Sequence, residues 1–268
     1  MSDYQHIRVE PISTALGAVI HGIDCRSDLP NSVVDEIRKA WLEHLVVFFQ
    51  GQDLEPGEQL AFARRFGLPV KYPMLEGLSE FPEVVRVVKL SHEKNNFGGI
   101  WHSDTTYLEQ PPIGALLLAR EVPEVGGDTL FANMYLAYET LSTGLKNMLG
   151  RLIVVQSSAK AGASRSREDR LSDVSAVAEQ VLEAEHPVVQ PHPETGRKTL
   201  FVNYGHSIRF KNMTEAESKP LLDYLFAHQT RSEFTCRFQW AAGSMAMWDN
   251  RCTPVSYTHL TLPTILLV

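Results

Sequence analysis

The sequence predicts a mainly β chain of the α+β class, a sandwich or jelly roll with helices packed outside it. Three observations lead there. First, the 268 residues are 44% apolar and 21% charged, a composition that supports one large buried core and excludes a disordered or collagen-like chain. Second, from Val84 to Ala242 the apolar residues fall in short runs divided by Gly and Pro, as short strands and tight turns require. Third, helical periodicity is confined to a few segments, and no internal repeat is present. One domain is expected at this length.

Taken in order, His6 to Val9 and Gly17 to Ile23 read as β-like runs. A helix follows, because Ser32 with Asp35 three residues on is a capping signal, and Val33, Ile37, Ala40, Trp41 and His44 share one helical face. Leu45 to Gln50 is a buried strand, short, rich in Val and Phe and stopped by Gly51. Leu54 to Phe66 is a second helix with Pro56 near its start and Gly67 at its end. Further strands are expected at Val84 to Leu90, Thr105 to Leu108, Ile113 to Arg120, Thr129 to Asn133, Leu152 to Gln156, Thr199 to Asn203, Phe234 to Trp240 and Ser244 to Trp248. Between them, Tyr135 to Leu149 is helical by pattern. Ala159 to Glu185 is a polar excursion ending in a helix, long enough to form a lid. Thr214 to Gln229 opens with Thr-x-x-Glu and buries Leu221, Leu222, Leu225 and Phe226, with Pro220 straining its first turns.

Charge narrows the partners. With 25 Lys+Arg against 32 Asp+Glu, the formal charge is −7, and no basic run exceeds two residues, so neither nucleic acid nor a membrane surface is indicated. The partner expected is a small molecule, and self-association is compatible with the composition. Cys25, Cys236 and Cys252 are odd in number and far apart, which suits buried thiols in a reducing compartment. The N-terminal residues carry no apolar signal region, and Ile113 to Ala119 is far too short to span a bilayer, so the chain reads as cytoplasmic.

Phosphate-loop, dinucleotide and nucleophile-elbow motifs are absent. Metal chemistry remains. His102-Ser103-Asp104 puts an imidazole and a carboxylate at i and i+2, on one face of an extended segment, and nitrogen with carboxylate suits iron, manganese or zinc. Spacing alone is weak evidence, since 10 His and 32 acidic residues make about one His-x-acid pair by chance. The second such pair, His192-Pro193-Glu194, precedes Thr195-Gly196 and reads as a hairpin turn. His6, His21, His44, His92, His186 and His228 have no ligand-like spacing and read as surface or satisfied core residues.

The surrounding string from Trp101 to Leu141, WHSDTTYLEQPPIGALLLAREVPEVGGDTLFANMYLAYETL, closely resembles the taurine/2,4-dichlorophenoxyacetate dioxygenase family of Fe(II)- and 2-oxoglutarate-dependent enzymes. W-H-x-D, a P-P turn and G-G-D-T-L-[FW] at this separation form a specific combination. The likeness extends to HLVVFFQGQ (His44 to Gln52), HPVVQPHPETGRKTLFVN (His186 to Asn203), LLDYLFAH (Leu221 to His228) and MWDNRCT (Met247 to Thr253). It implies a double-stranded β-helix, a jelly roll whose mouth holds Fe(II) on two histidines and a carboxylate. The remaining positions take 2-oxoglutarate and O2, and a small, anionic organic substrate is hydroxylated with release of succinate and CO2. By this resemblance His102 and Asp104 are two metal ligands, Thr129 binds a 2-oxoglutarate carboxylate, and Tyr72, Ile100, Tyr204 and His206 line the substrate pocket. The Phe97-Gly98-Gly99 loop lacks the polar residues of taurine enzymes, which disfavours taurine itself.

The departure is at the end. The family block W-D-N-R-x-T-x-H supplies the distal iron histidine. Here Trp248, Asp249, Asn250, Arg251 and Thr253 match, and Val255 stands in the histidine's place. The later arginine that would pair with 2-oxoglutarate is missing, and the last barrel strands are expected to be missing with it, leaving a sheet edge unpaired. The dioxygenase domain is therefore expected over 1–253, with 254–268 (PVSYTHLTLPTILLV) a non-family tail that looks like foreign sequence joined to a truncated frame. His259 is a poor substitute ligand, since four extended residues displace it by about 13 Å from position 255. Three readings stay open: an oxygenase impaired by the lost ligand, a catalytically inactive jelly-roll module that binds a small molecule or metal, and a cupin-like metal isomerase or hydrolase.

Overall fold

The computed structural model describes residues 4–88, 99–161, 180–257 and 264–267. Its framework is a large sheet covered on both faces. β1 (Arg8–Pro11) and β2 (Ala18–His21) form a hairpin, and α1 (Asn31–His44) leads into β3 (Val46–Phe49). No side chain caps α1, which starts after Pro30 and ends at Leu45 in the left-handed region, φ 67°. α2 (Pro56–Ala63) is fixed by a reciprocal capping box of Glu55 and Glu58. β4 (Val84–Val85), β5 (Gly114–Leu118) and β6 (Thr129–Ala132) follow. The single helix expected over Tyr135 to Leu149 is two, α3 (Met134–Glu139) and α4 (Thr143–Leu149), because the Ser142 hydroxyl accepts from the Leu145 N–H and starts a new helix.

Beyond β7 (Ile153–Ser157), α5 (Ser158–Ala161) opens the polar excursion expected over Ala159 to Glu185. Residues 162–179 of it lie outside the described residues, as do His92, Asn96 to Gly98 and His259, and its end, Glu183 to Glu185, is strand rather than the helix expected. β8 (Glu183–Pro187), the hairpin of β9 (Val189–Pro191) and β10 (Lys198–Leu200), and β11 (Ser207–Phe210) precede α6 (Glu215–Gln229). α6 has the expected Thr214–Glu217 capping box and accommodates Pro220. β12 (Thr235–Phe238), β13 (Met245–Asp249), β14 (Val255–Tyr257) and β15 (Thr264–Leu267) close the order.

The large sheet runs β1-β2-β3-β13-β5-β15-β4, and two three-stranded sheets run β11-β7-β8 and β12-β6-β14. Strand periodicity sorts its core. Val46, Phe48, Leu117, Ala246 and Trp248 pack with Phe131, Phe238 and Val154 of the small sheets, Phe48 stacking on Phe238 at 3.8 Å. Their alternates Val47, Phe49, Leu116, Leu118, Met245 and Met247 pack on Ile37, Trp41, Leu60 and Phe62 of α1 and α2. Gly114 is required here, because a Cβ would lie 2.7 Å from the Trp41 ring and 2.8 Å from the Trp248 carbonyl oxygen.

The jelly-roll class is borne out, and three local expectations are corrected. Thr105 to Leu108 is a turn rather than a strand, with Thr105 at φ 49°. The strand expected over Thr199 to Asn203 ends at Leu200. The last strands, expected to be missing with a sheet edge left unpaired, have counterparts: Thr264–Leu267 pairs with both β5 and β4, and Val255–Tyr257 pairs with β6. The three cysteines are buried free thiols, and no described helix is long and apolar enough to cross a membrane.

Candidate active site

His102 and Asp104 converge at the end of a short extended segment. His102 forms a one-residue antiparallel bridge with Val255, its N–H donating to the Val255 carbonyl at 2.9 Å and its carbonyl accepting from the Val255 N–H at 2.7 Å. Two residues on, the chain turns through Thr105, and His102 Nε2 and Asp104 Oδ1 lie 3.5 Å apart. The ring is oriented by its other nitrogen, since Nδ1–H donates to the Ile100 carbonyl at 2.7 Å and leaves Nε2 facing the carboxylate. Burial alone would lower the His102 pKa, but the Asp104 carboxylate and the Ile100 carbonyl outweigh it and raise it. Asp104 Oδ2 is buried with no hydrogen-bond partner, an arrangement that a protein alone leaves unsatisfied. An imidazole nitrogen beside a carboxylate with an orphaned oxygen offers two donors of the kind that suit a divalent transition metal.

The motif is gripped from two sides. Asn250 Oδ1 accepts from the Asp104 N–H at 2.6 Å, while its Nδ2 donates to the carbonyls of Asp104 at 2.9 Å and Pro112 at 3.1 Å. On the other side Thr106 Oγ1 donates to Gln156 Oε1 at 2.7 Å, and Asn203 Nδ2 donates to both, at 3.1 and 2.9 Å. His186 Nε2 bonds the Thr106 and Leu108 carbonyls at 2.9 and 3.0 Å, the satisfied core role expected of it. His228 has the same role at the Ala137 carbonyl, 2.9 Å away.

The other expected site residues fall at different distances. Thr129 is fully buried, and its Oγ1 accepts from Trp240 Nε1 at 2.9 Å. His206 is buried with Nδ1 unpartnered, its ring 6.5 Å from that of His102 and edge-on to Tyr107 at 4.9 Å. Burial, then the His102 charge, lowers its pKa to about 3. Tyr72 hydrogen-bonds Tyr107, and burial pushes its phenol well above the ordinary tyrosine value. Ile100 contributes its carbonyl while its side chain is exposed, and Tyr204 is half-exposed against Phe226, ring centroids 5.6 Å apart. Sequence reasoning missed Tyr107, Trp240 and Tyr257, the last with its ring 5.7 Å from His102. Nothing in their spacing marks them, because the turn at Thr105 and the pairing of β12 and β14 with β6 bring them in. Asn250 was within the matched W-D-N-R block, and its partner was not readable.

A second cluster, His192, Asp249 and Cys252, has ligand atoms within 4.8 Å of one another but is already neutralised. Arg251 binds Asp249 through Nε at 2.8 Å and Nη2 at 2.6 Å. His192 Nδ1 accepts from the Glu194 and Thr195 N–H groups, so Nε2 donates to Asp249 Oδ2 at 2.9 Å. Glu194 in turn pairs with Arg251 and Arg38, both at 2.7 Å. His192-Pro193-Glu194 is thus the expected β9–β10 turn, pinned to the end of β13.

The chain has close relatives. It is 36% identical over 259 positions to an alkylsulfatase of Acinetobacter baylyi, covering 93% of this chain and 79% of that one. To an alpha-ketoglutarate-dependent sulfate ester dioxygenase of Pseudomonas putida it is 34% identical over 253 positions, covering 91% and 82%. A crystal structure of a taurine dioxygenase from Burkholderia xenovorans superposes with a TM-score of 0.82 at 34% identity, covering 98% of this chain and 88% of that one. The profile of the taurine catabolism dioxygenase TauD, TfdA family matches residues 8–253. The chain therefore belongs to the TauD/TfdA family, enzymes that are dioxygenases dependent on Fe(II), 2-oxoglutarate and O2.

Proposed function

We propose that this chain carries the site of a dioxygenase for a small organic anion, with His102 and Asp104 as metal ligands and turnover limited by the valine at position 255. The observation that carries this reading is the pairing of His102 Nε2 with a buried carboxylate whose second oxygen has no partner. Two ligands fit Fe(II); the third position does not, since Val255 lies directly opposite His102. Held by His102 and Asp104, Fe(II) would supply the oxidising chemistry in which 2-oxoglutarate and O2 give succinate, CO2 and hydroxylated substrate. The chain's own residues do the rest. The Ile100 carbonyl holds the His102 ring in one tautomer. Thr129 uses its oxygen to accept from Trp240, which frees its O–H to donate to a 2-oxoglutarate carboxylate. Tyr107 and His206, edge-on to each other beside His102, and Tyr72, bonded to Tyr107, would exclude water from the metal, with exposed Ile100 and half-exposed Tyr204 toward the substrate.

The relatives named above include an alkylsulfatase and a sulfate ester dioxygenase, which supports an anionic substrate. Val255 favours a second reading, a binding module without turnover. Succinate formation from 2-oxoglutarate separates the two, measured with Fe(II) and ascorbate over a panel of alkyl sulfates, alkanesulfonates and phenoxyalkanoates. We expect slow, iron-dependent succinate formation that rises in Val255→His. No succinate from either protein, with metal binding intact, would leave the binding module.

A further inference from the structure

The turn that aims Asp104 is conformationally unfavourable. Thr105 is fully buried, β-branched and at φ 49°, and its hydroxyl has no hydrogen-bond partner. A β-branched residue resists that region, so something must hold the turn. Asn250, 1% exposed, meets it with three bonds, accepting from the Asp104 N–H and donating to the carbonyls on either side of the turn, at Asp104 and Pro112. Only a carboxamide has an acceptor and two donors in this planar arrangement. Its own backbone is fixed from outside, its N–H donating to the Ile113 carbonyl at 3.0 Å while Asp249 and Arg251 on either side anchor to His192 and Glu194.

We propose that Asn250 is a positioning residue, which touches neither metal nor substrate and sets the Asp104 carboxylate against His102. The proposal rests on the metal-site reading above. Its geometric half, a clamp on the Asp104 peptide, is testable without a metal.

Asn250→Ala removes all three bonds, and Asn250→Asp keeps the acceptor and the shape while losing both donations. Gln52→Ala is the control. Gln52 is buried and remote, with three bonds to Cys25, Ile23 and Gln50, each at 2.9 Å. Amide hydrogen exchange at Asp104 and Mn(II) affinity by electron paramagnetic resonance are read on the full chain, with thermal melts alongside. We expect Asn250→Ala to weaken Mn(II) binding by about 10- to 100-fold and to deprotect the Asp104 amide, with Asn250→Asp weaker than the unmodified chain in the same direction. Gln52→Ala should lower the melting temperature and leave Mn(II) affinity within about twofold. An unchanged Asp104 exchange rate in Asn250→Ala overturns the clamp, as does a Mn(II) loss no larger than that of Gln52→Ala. Should the unmodified chain bind no Mn(II), the metal-site reading fails, and Asp104 exchange still decides the clamp in Asn250→Asp even if Asn250→Ala does not fold.

Discussion

Val255→His tests the metal centre most directly. Residues 102 and 255 exchange two backbone hydrogen bonds, which sets their Cα atoms about 5.5 Å apart and sends both side chains to the same face. An imidazole at 255 therefore projects beside His102. Val255 is 0% exposed, so the larger ring overpacks the site at a cost of about 1–3 kcal/mol. At about 2–4 °C per kcal/mol, the metal-free variant should melt roughly 2–12 °C below the unmodified chain. The third ligand should tighten Mn(II) by more than the ~10- to 100-fold typical of groups that only orient ligands. Mn(II) at about 100 times its Kd would then return ~2.7 kcal/mol of stability, offsetting most of the overpacking. Anaerobic titration calorimetry and melts with and without Mn(II) measure both effects. An unchanged affinity, or a gain that survives intact in the double variant with His102→Ala, refutes the placement of position 255 in the metal centre.

His102→Ala and Asp104→Ala should each abolish residual Mn(II) binding by the same titration, with the circular dichroism spectrum retained. Thr129→Val should lower 2-oxoglutarate affinity roughly 10- to 150-fold, the value of one bond to a carboxylate, with Mn(II) affinity little changed. It also strands the Trp240 N–H, so a melt should show a loss of about 1–3 kcal/mol. Asp249→Asn breaks a buried pair and should cost about 3–5 kcal/mol at neutral pH by chemical denaturation. Hydrogen bonds from Arg251 and His192, working against burial, hold the Asp249 carboxyl below its usual value. Its stabilisation is therefore complete above about pH 4, the unfolded value, and is lost as pH falls through the lower folded value. The variant should lose less stability on acidification than the unmodified chain.

The elements whose fate was decided locally could be read in advance. The Val- and Phe-rich run before Gly51 became β3, and Thr214 with Glu217 capped α6 as expected. Where tertiary contacts decide, pattern failed. Thr105 to Leu108 has strand propensity, yet Asn250 holding Asp104 before it, and the bonds of Thr106 with Gln156 and His186, keep it in a turn. Tyr135 to Leu149 kept its helical period but split at Ser142, whose capping hydroxyl outweighs continuity. In the site, His102 and Asp104 were legible because their two-residue spacing lies inside the W-H-x-D string that resembles the family. Tyr107, Trp240, Tyr257 and the role of Asn250 depend on partners distant in sequence: Asn250 and Asp104 are 146 residues apart. The uncharged run Thr264–Leu267 gave no hint that it would slot between β5 and β4.

The buried triad of Thr106, Gln156 and Asn203 bears on how the chain avoids misfolding. β7 is otherwise Ile-Val-Val-rich, and such a strand can slide along its neighbours with little loss of apolar contact. Gln156 faces Ala184 on one side and Ser207 on the other, and a slip of one residue would turn it to the opposite face. Thr106 and Asn203 would then lose their partner inside the core, where unsatisfied polar groups are most costly. Because Thr106 is two residues from Asp104, a mispaired β7 also unseats the metal motif, so metal uptake would discriminate correctly registered chains from slipped ones.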